Sequence, residues 1–338
     1  MRKKAKYNVA VVGVGAVGIE MLKVLKQRNF PVGNLKVLAR SARDITVDGV
    51  TYHVDQISAE AFKGIDIALF AGTEGEKGAA VTYAPEAVKC GAVVIDNGAD
   101  FRMEADVPLV VPEVNPKDVK KCKARGIIAN PNCSTIQMVV ALAPLHKLSK
   151  IKKVIVSTYQ AASGAGSKAV EELYQQTKAA LERQSFKPEA LAQRIAFNLF
   201  PHIGSASEAD FTTEEWKMVK ETHKIMHAPK MKISATTVRV PVAIGHSESI
   251  YIETQKPLDI AEVKKALASA PGIIVIDDIK DGQYPMPVDA CGRDEVFVGR
   301  IRKDPLDEKG LWLWVVADNL RKGAASNAVQ IAEVLIKK

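Results

Sequence analysis

At 338 residues the chain is longer than a single hydrophobic core usually grows, so two packed domains are expected. Its 47% hydrophobic and 25% charged residues are an ordinary globular mix, which excludes fibrous and disordered classes. The net charge of +8 is spread along the whole length with no basic block, so it reads as a solvated surface and no nucleic-acid partner is expected.

Asn8–Val12 reads as a buried strand, and the first apolar run within it, Val9–Val12, is too short for a leader's core. No stretch nears the roughly 18 apolar residues of a membrane span, so a cytoplasmic protein away from membranes is expected. Gly13-Val14-Gly15-Ala16-Val17-Gly18 follows that strand and opens a helical pattern, Val17–Gln27, the context in which G-x-G-x-x-G cradles a dinucleotide. Glycine is needed there because a Cβ would block the turn and the approach of the pyrophosphate, which sits on free N–H groups at the helix start. The next strand, Leu35–Ala39, ends in Arg40-Ser41-Ala42-Arg43 rather than in an acid. Two guanidinium groups and a hydroxyl suit a 2′-phosphate, which predicts NADP over NAD. Further strands at Ile65–Ala71 and Val93–Asp96, with a helical pattern over Lys77–Cys90 between them, complete a doubly wound parallel sheet.

Strand-like Ile127–Ala129 then leads through Asn130-Pro131-Asn132-Cys133-Ser134-Thr135 into an apolar helix running toward His146. A thiol at a helix N-terminus feels the positive end of the dipole and is a candidate nucleophile, and the N–H groups beside it can receive an oxyanion. The other cysteines, Cys90, Cys122 and Cys291, lack such a setting and form no C-x-x-C pair, so neither a disulfide framework nor a zinc ribbon is suggested. From Ile151 the pattern changes to longer strands, Lys153–Tyr159, Lys232–Val240, Glu248–Thr254, Glu295–Ile301 and Leu311–Val316, expected to pair mostly antiparallel in a second α+β domain. Within it, Thr212 and Glu215 fit a capping box at a helix start, with Glu214 and Lys217 one turn apart on a face of that helix. Among six histidines, His246 stands in a Gly245-His246-Ser247 turn between strands, where it can act as a base. His223 and His227 are four apart on a helix but have no third ligand, so no metal is expected. The last helical pattern, Gly323–Ile336, is expected to return to the first domain.

Taken in order, the glycine loop, Asn97-Gly98-Ala99-Asp100-Phe101-Arg102-Met103, the Cys133 segment, Tyr159-Gln160-Ala161-Ala162-Ser163-Gly164-Ala165-Gly166, Arg239-Val240-Pro241-Val242 leading to His246, and Val315–Ala325 resemble the aspartate-semialdehyde dehydrogenase family over nearly the whole chain. The resemblance implies a Rossmann-type domain, here 1–133 plus 318–338, with a catalytic and dimerisation domain, 134–317, inserted before the C-terminal helix. It implies NADP-dependent reductive dephosphorylation of L-4-aspartyl phosphate to L-aspartate 4-semialdehyde, feeding lysine, methionine, threonine and diaminopimelate synthesis. By it Cys133 is the nucleophile, Gln160 its orienting partner and His246 the general acid/base. Arg239 would hold the substrate carboxylate and Glu214 its ammonium, while Arg102 and Lys217 would take the phosphate. Gly13, Gly15, Ala16, Val17, Gly18, Arg40, Ser41, Arg43, Ser163, Gly164 and Asn319 would bind the cofactor, and a homodimer or tetramer would be the working form. Two departures, a loop one residue shorter than the family's usual one and acids at Glu74 and Glu76, keep NAD open as a cofactor. The alternatives are a sister acyl-phosphate reductase, such as N-acetyl-glutamyl-phosphate reductase, and a non-catalytic dinucleotide-binding regulator.

Overall fold

The computed structural model describes residues 3–72 and 78–337, and Glu74 and Glu76 lie outside the described residues. In chain order the elements are β1 Tyr7–Val12, α1 Ala16–Gln27, β2 Val32–Ala39, β3 Arg43–Val47, β4 Val50–Gln56, β5 Ile67–Phe70, α2 Ala79–Lys89, β6 Val93–Asp96 and β7 Ile127–Ala129. There follow α3 Cys133–Leu148, β8 Ile151–Gln160, α4 Ser167–Leu181, α5 Thr213–Ile225, β9 Lys232–Arg239 and β10 His246–Thr254. The chain continues with α6 Ile260–Ala268, β11 Ile273–Val275, α7 Pro287–Ala290, β12 Val296–Lys303, β13 Gly310–Ala317 and α8 Ser326–Ile336. They fall into two compact units, residues 1–132 with 324–338 and residues 133–323.

The first unit is built on a seven-stranded sheet of order β3-β4-β2-β1-β5-β6-β7. All its pairings are parallel except β3 with β4. Strands β1 and β5 are apolar runs with Val9, Val11, Ile67 and Leu69 wholly buried, as expected for a sheet covered on both faces. The β3–β4 hairpin was not expected from the sequence, although Val47-Asp48-Gly49-Val50 carries its signal. Asp48 at φ 47 and Gly49 at φ 75 make the left-handed turn that matches strand twist. Helix α8 buries Ala328, Val329, Ile331, Ala332 and Leu335 in the same core as α1 and β1, and the Arg28 guanidinium grips Glu333 at 2.7 Å.

The second unit carries a six-stranded sheet of order β11-β12-β13-β10-β8-β9. Here the antiparallel expectation holds only in the middle, because β8 runs parallel to β9 and β11 to β12. A parallel neighbour needs a long crossover, and the chain supplies one in each case: α4 and α5 lie between β8 and β9, and residues 276–295 with α7 lie between β11 and β12. Residues Ile136–Ala143 of α3 are buried on every side. This helix packs against β8, β10, β12 and β13 as well as α5 and α6, so a helix apolar all round is the sequence such a place requires.

Candidate active site

Cys133 is the first residue of α3 and half-buried, so its sulfur stands where the N–H groups of the opening turn lack intrahelical acceptors. A Cβ added to Gly323 would fall 2.9 Å from the Cβ of Cys133, which makes glycine the residue that lets this segment close on the thiol's backbone.

The register of the second sheet gathers the polar residues. Gln160 on β8 is paired with Arg239 on β9, Thr158 with Thr237, and Glu248 on β10 with Thr158. Residues paired across a ladder share a face, so Arg239, Gln160 and His246 form one polar row at the strand ends and Thr237, Thr158 and Glu248 a second row behind it. All six are buried, none more than 5% exposed. Within the rows the Thr158 hydroxyl donates to the Gln160 carbonyl oxygen at 3.0 Å, and the Gln160 amide donates to Glu214 at 3.2 Å. Glu214 also meets Lys217 at 3.7 Å. The capping box of α5 frees Glu214 for this. Glu215 accepts from the Thr212 N–H at 2.8 Å and receives the Thr237 N–H at 3.0 Å, so the neighbouring acid serves the helix end and the sheet.

Ala161, directly after β8, ties two of these side chains together. Its N–H donates to Nδ1 of His246 at 3.0 Å, and its carbonyl accepts from the Arg239 guanidinium at 2.6 Å. Burial pushes the Arg239 pKa down, against the negative charges of Cys133 and Glu214, which pull it up. Burial, and then the Arg239 charge, hold the His246 imidazole well below its usual pKa. His246 differs from expectation in place: it is the first residue of β10 and wholly buried, and the turn is carried by Gly245 alone at φ 100. Asn319 accepts from the Gly245 N–H at 2.9 Å and the Ser163 hydroxyl at 3.0 Å, fixing that turn against the 161–166 segment. Cys133, Gln160, Glu214, Lys217, Arg239, His246, Ser163, Gly164 and Asn319 thus belong to one unit. Sequence reasoning passed over Ala161, which acts through its backbone and carries no signal, and Thr158, which strand alternation from Gln160 could have found.

In the first unit, the residues of the glycine loop fit a dinucleotide phosphate. Gly13 has φ 99, a Cβ on Gly18 would collide with the Gly13 carbonyl, and Gly15 faces open space with no side chain capping α1. A concave backbone with unspent N–H groups is the cradle an anion requires. Arg40 and Ser41 are exposed just after β2 and Arg43 is exposed at the start of β3, with its guanidinium 3.1 Å from the Ser41 hydroxyl. Arg102 is buried in the same unit and donates to the Asn97 carbonyl at 2.8 Å. Among the described residues no group of acids, cysteines and histidines has the arrangement of a metal site, and no helix is long and apolar enough to cross a membrane.

Two family models match the chain: "Semialdehyde dehydrogenase, NAD binding domain" over residues 8–122 and "Semialdehyde dehydrogenase, dimerisation domain" over residues 142–322. The aspartate-semialdehyde dehydrogenase of Aquifex aeolicus is 56% identical, covering 98% of both chains. That of Bacillus subtilis is 51% identical, over 98% of this chain and 97% of the other. Among solved structures, Vibrio cholerae aspartate semialdehyde dehydrogenase II complexed with ASA is 44% identical with a TM-score of 0.95, covering 99% of each chain. The Candida albicans aspartate semialdehyde dehydrogenase with NADP is 26% identical with a TM-score of 0.71, covering 98% of each.

Proposed function

The chain belongs to the aspartate-semialdehyde dehydrogenase family, and from that premise we propose how its own residues share the reductive dephosphorylation of L-4-aspartyl phosphate to L-aspartate 4-semialdehyde. The protein is an oxidoreductase of amino-acid biosynthesis that uses a nicotinamide dinucleotide. Its product stands upstream of lysine, methionine, threonine and diaminopimelate. Cys133 attacks the acyl phosphate carbonyl, and N–H groups of the first turn of α3 receive the oxyanion. Phosphate departs and leaves a thioester on the sulfur. Bound at the Gly13–Gly18 loop, the cofactor supplies the hydride that reduces this thioester. His246, as general acid/base, protonates the developing oxyanion and takes that proton back as the thiohemiacetal collapses to the aldehyde and the thiolate.

The substrate carries a carboxylate, an ammonium and a phosphate, and each meets a chemically matched group. Arg239 holds the carboxylate, Glu214 receives the ammonium, and Arg102 and Lys217 are the cations reserved for phosphate. Gln160, braced by Thr158 and Glu214, orients the nucleophile. Ser163, Gly164 and Asn319 complete the cofactor's surroundings. The exposed Arg40 and Arg43, with Ser41 between them, favour NADP as the working cofactor. A homodimer is the working form. The outer face of the second sheet supports it, with Ile155 exposed there and a cavity of about 350 Å³ lined by Trp314, Tyr284, Met286 and Arg300.

The observation that carries this function is Cys133 at the head of α3 in the charge field of Arg239. The test is phosphate-dependent oxidation of L-aspartate 4-semialdehyde, run with NADP and NAD in parallel. Turnover with NADP above NAD is expected, and Cys133→Ala should abolish turnover while leaving NADPH binding largely intact. Activity retained in that variant, or turnover of N-acetyl-glutamate semialdehyde instead, overturns it.

A further inference from the structure

Thr158 lies behind the reacting groups, in the second polar row, yet one of its bonds decides what the first row presents. Resting on the function proposed above, we infer that Thr158 is a positioning residue of the reaction: its hydroxyl hydrogen sets which end of the Gln160 amide faces the nucleophile, so that the site meets N–H groups and not the carbonyl oxygen.

The bond runs along one strand. Residues 158 and 160 share a face of β8, about 6.6 Å apart along it, and the long Gln160 side chain turns back so that its carbonyl oxygen accepts the Thr158 hydroxyl at 3.0 Å. A hydroxyl has one hydrogen to give, and the groups around Thr158 leave it for Gln160. The Val238 N–H, 3.4 Å from the Thr158 oxygen, can only donate, so it meets a lone pair there and not the hydrogen. Thr237, opposite on β9, has a hydroxyl with no hydrogen-bond partner among the described residues. Glu248, opposite on β10, takes no hydrogen bond from Thr158 either, and burial keeps its carboxyl toward the neutral form, a weaker acceptor than a carboxylate.

At the far end, Gln160 gives one N–H to Glu214 at 3.2 Å, and that carboxylate, with Lys217 3.7 Å from its second oxygen, can only accept. A donor that cannot accept thus stands at one end of the chain, and an acceptor that cannot donate at the other. The hydroxyl and the amide between them run in one direction. Turning the amide over would set its oxygen against the Glu214 carboxylate and its nitrogen against the Thr158 hydrogen. Gln160 is the middle member of the first row, beside Arg239, on whose guanidinium the Cys133 charge acts. Its second amide N–H has no partner among the described residues and is what the row offers at that point. A thiolate and the oxyanion that follows it both call for a donor, and a carbonyl oxygen in the same place would repel them. Thr158 is wholly enclosed and Gln160 nearly so, so bulk solvent does not restore the bond once the hydroxyl is lost.

Thr158→Val keeps the branched shape and removes the hydrogen. It should lower kcat for oxidation of L-aspartate 4-semialdehyde by about 10- to 100-fold while the KM for the semialdehyde stays within about threefold, because Arg239 and Glu214 keep their own anchors. Thr158→Ser returns the hydroxyl and should recover to within about threefold of the parent. Added to Gln160→Leu, Thr158→Val should cost less than about twofold more, since a group that acts only through the amide has nothing to act on once the amide is gone. Losses that multiply in the double variant overturn the inference, as does a parent-like kcat in Thr158→Val or a Thr158→Ser enzyme equally slow. Should Thr158→Val fail to fold, Thr158→Ala takes its place in the same cycle. Nitrogen NMR of the Gln160 side-chain amide, assigned by the difference from Gln160→Leu, reads the orientation without turnover. Two separate, slowly exchanging N–H signals are expected in the parent, and faster exchange of both in the Thr158 variant; signals alike in the two proteins overturn the inference. A parent enzyme that leaves the semialdehyde unoxidised sinks the proposed function, and the amide signals still decide what Thr158 does to Gln160.

Discussion

A methyl group at position 164 would sit 3.0 Å from Nη1 of Arg239 and 3.2 Å from Nε2 of His246, and neither can retreat because both are tied to Ala161. Gly164→Ala is therefore expected to displace the two side chains by a few tenths of an ångström. It should lower kcat by about 10- to 100-fold with little change in thermal unfolding, since the site is buried but the cost is one of alignment. Turnover matching the parent's would show that the two groups need no such exact placing. At the other end of the nucleotide, Arg40 and Arg43 are exposed and the Arg43 guanidinium meets the Ser41 hydroxyl, so both guanidinium groups are within reach of a phosphate from solvent. Replacing both by alanine should weaken NADPH binding by about 10- to 100-fold, the worth of charge-assisted hydrogen bonds, and leave NADH binding unchanged. A parallel loss for NADH would place the two arginines outside the discrimination. Cys133 and the glycine loop could be read from the sequence because residue type and local context carry their chemistry. Ala161 could not, because what matters there is where a peptide group points.

The second polar row is a property of elements, since it exists only when β8, β9 and β10 are in register under α3. Glu248 ends it on β10, wholly buried, with neither carboxyl oxygen holding a hydrogen-bond partner among the described residues. Burial drives its pKa well above the usual carboxylate range, and the Gln137 amide on α3, which faces the carboxyl but stops short of a full hydrogen bond, offsets part of that. A raised folded-state pKa means the folded chain binds the extra proton more tightly. The stability it gives is complete below the ordinary carboxylate value and is lost as pH rises toward the raised one. Glu248→Gln cannot ionise, so it should match the parent in denaturant unfolding at about pH 4.5 and grow more stable relative to it above that, by up to about 1.4 kcal/mol per pH unit. Curves that stay parallel across pH would mean the carboxyl is not held neutral. Alternation in Thr237-Val238-Arg239-Val240 sets Arg239 on the face opposite Val238 and Val240, but it does not say that the arginine's face is the buried one. The register that sets Glu248 opposite Thr158 depends on strands far apart in the chain, and no local pattern encodes it. The same limit hid the parallel β8–β9 pairing. The β3–β4 hairpin is different, because Asp48-Gly49 between Val47 and Val50 is a wholly local turn signal.

At the scale of the molecule, the first unit is discontinuous, and its last piece is paid for by core packing. Helix α8 is apolar enough in sequence to demand burial, with Ile331 and Val329 wholly enclosed among residues of α1, β1 and β5. The pair of Arg28 with Glu333 adds a contact between segments at opposite ends of the chain, but both side chains are partly exposed and such pairs contribute little. The packing is therefore what closes the unit. Ile331→Ala, which removes methyl groups where the surroundings cannot collapse, should lower the unfolding free energy of the nucleotide-binding unit by about 2–5 kcal/mol in a urea titration. A ligand that binds only the folded unit restores stability by mass action, so NADPH at about 100-fold its Kd should return about 2.7 kcal/mol to the variant. The parent should gain the same increment, because the substituted side chain faces the core and not the Gly13–Gly18 loop. An Ile331→Ala enzyme with the parent's urea midpoint would show that α8 is an appendage, and one that folds but no longer responds to NADPH would show that the helix shapes the cofactor cradle itself.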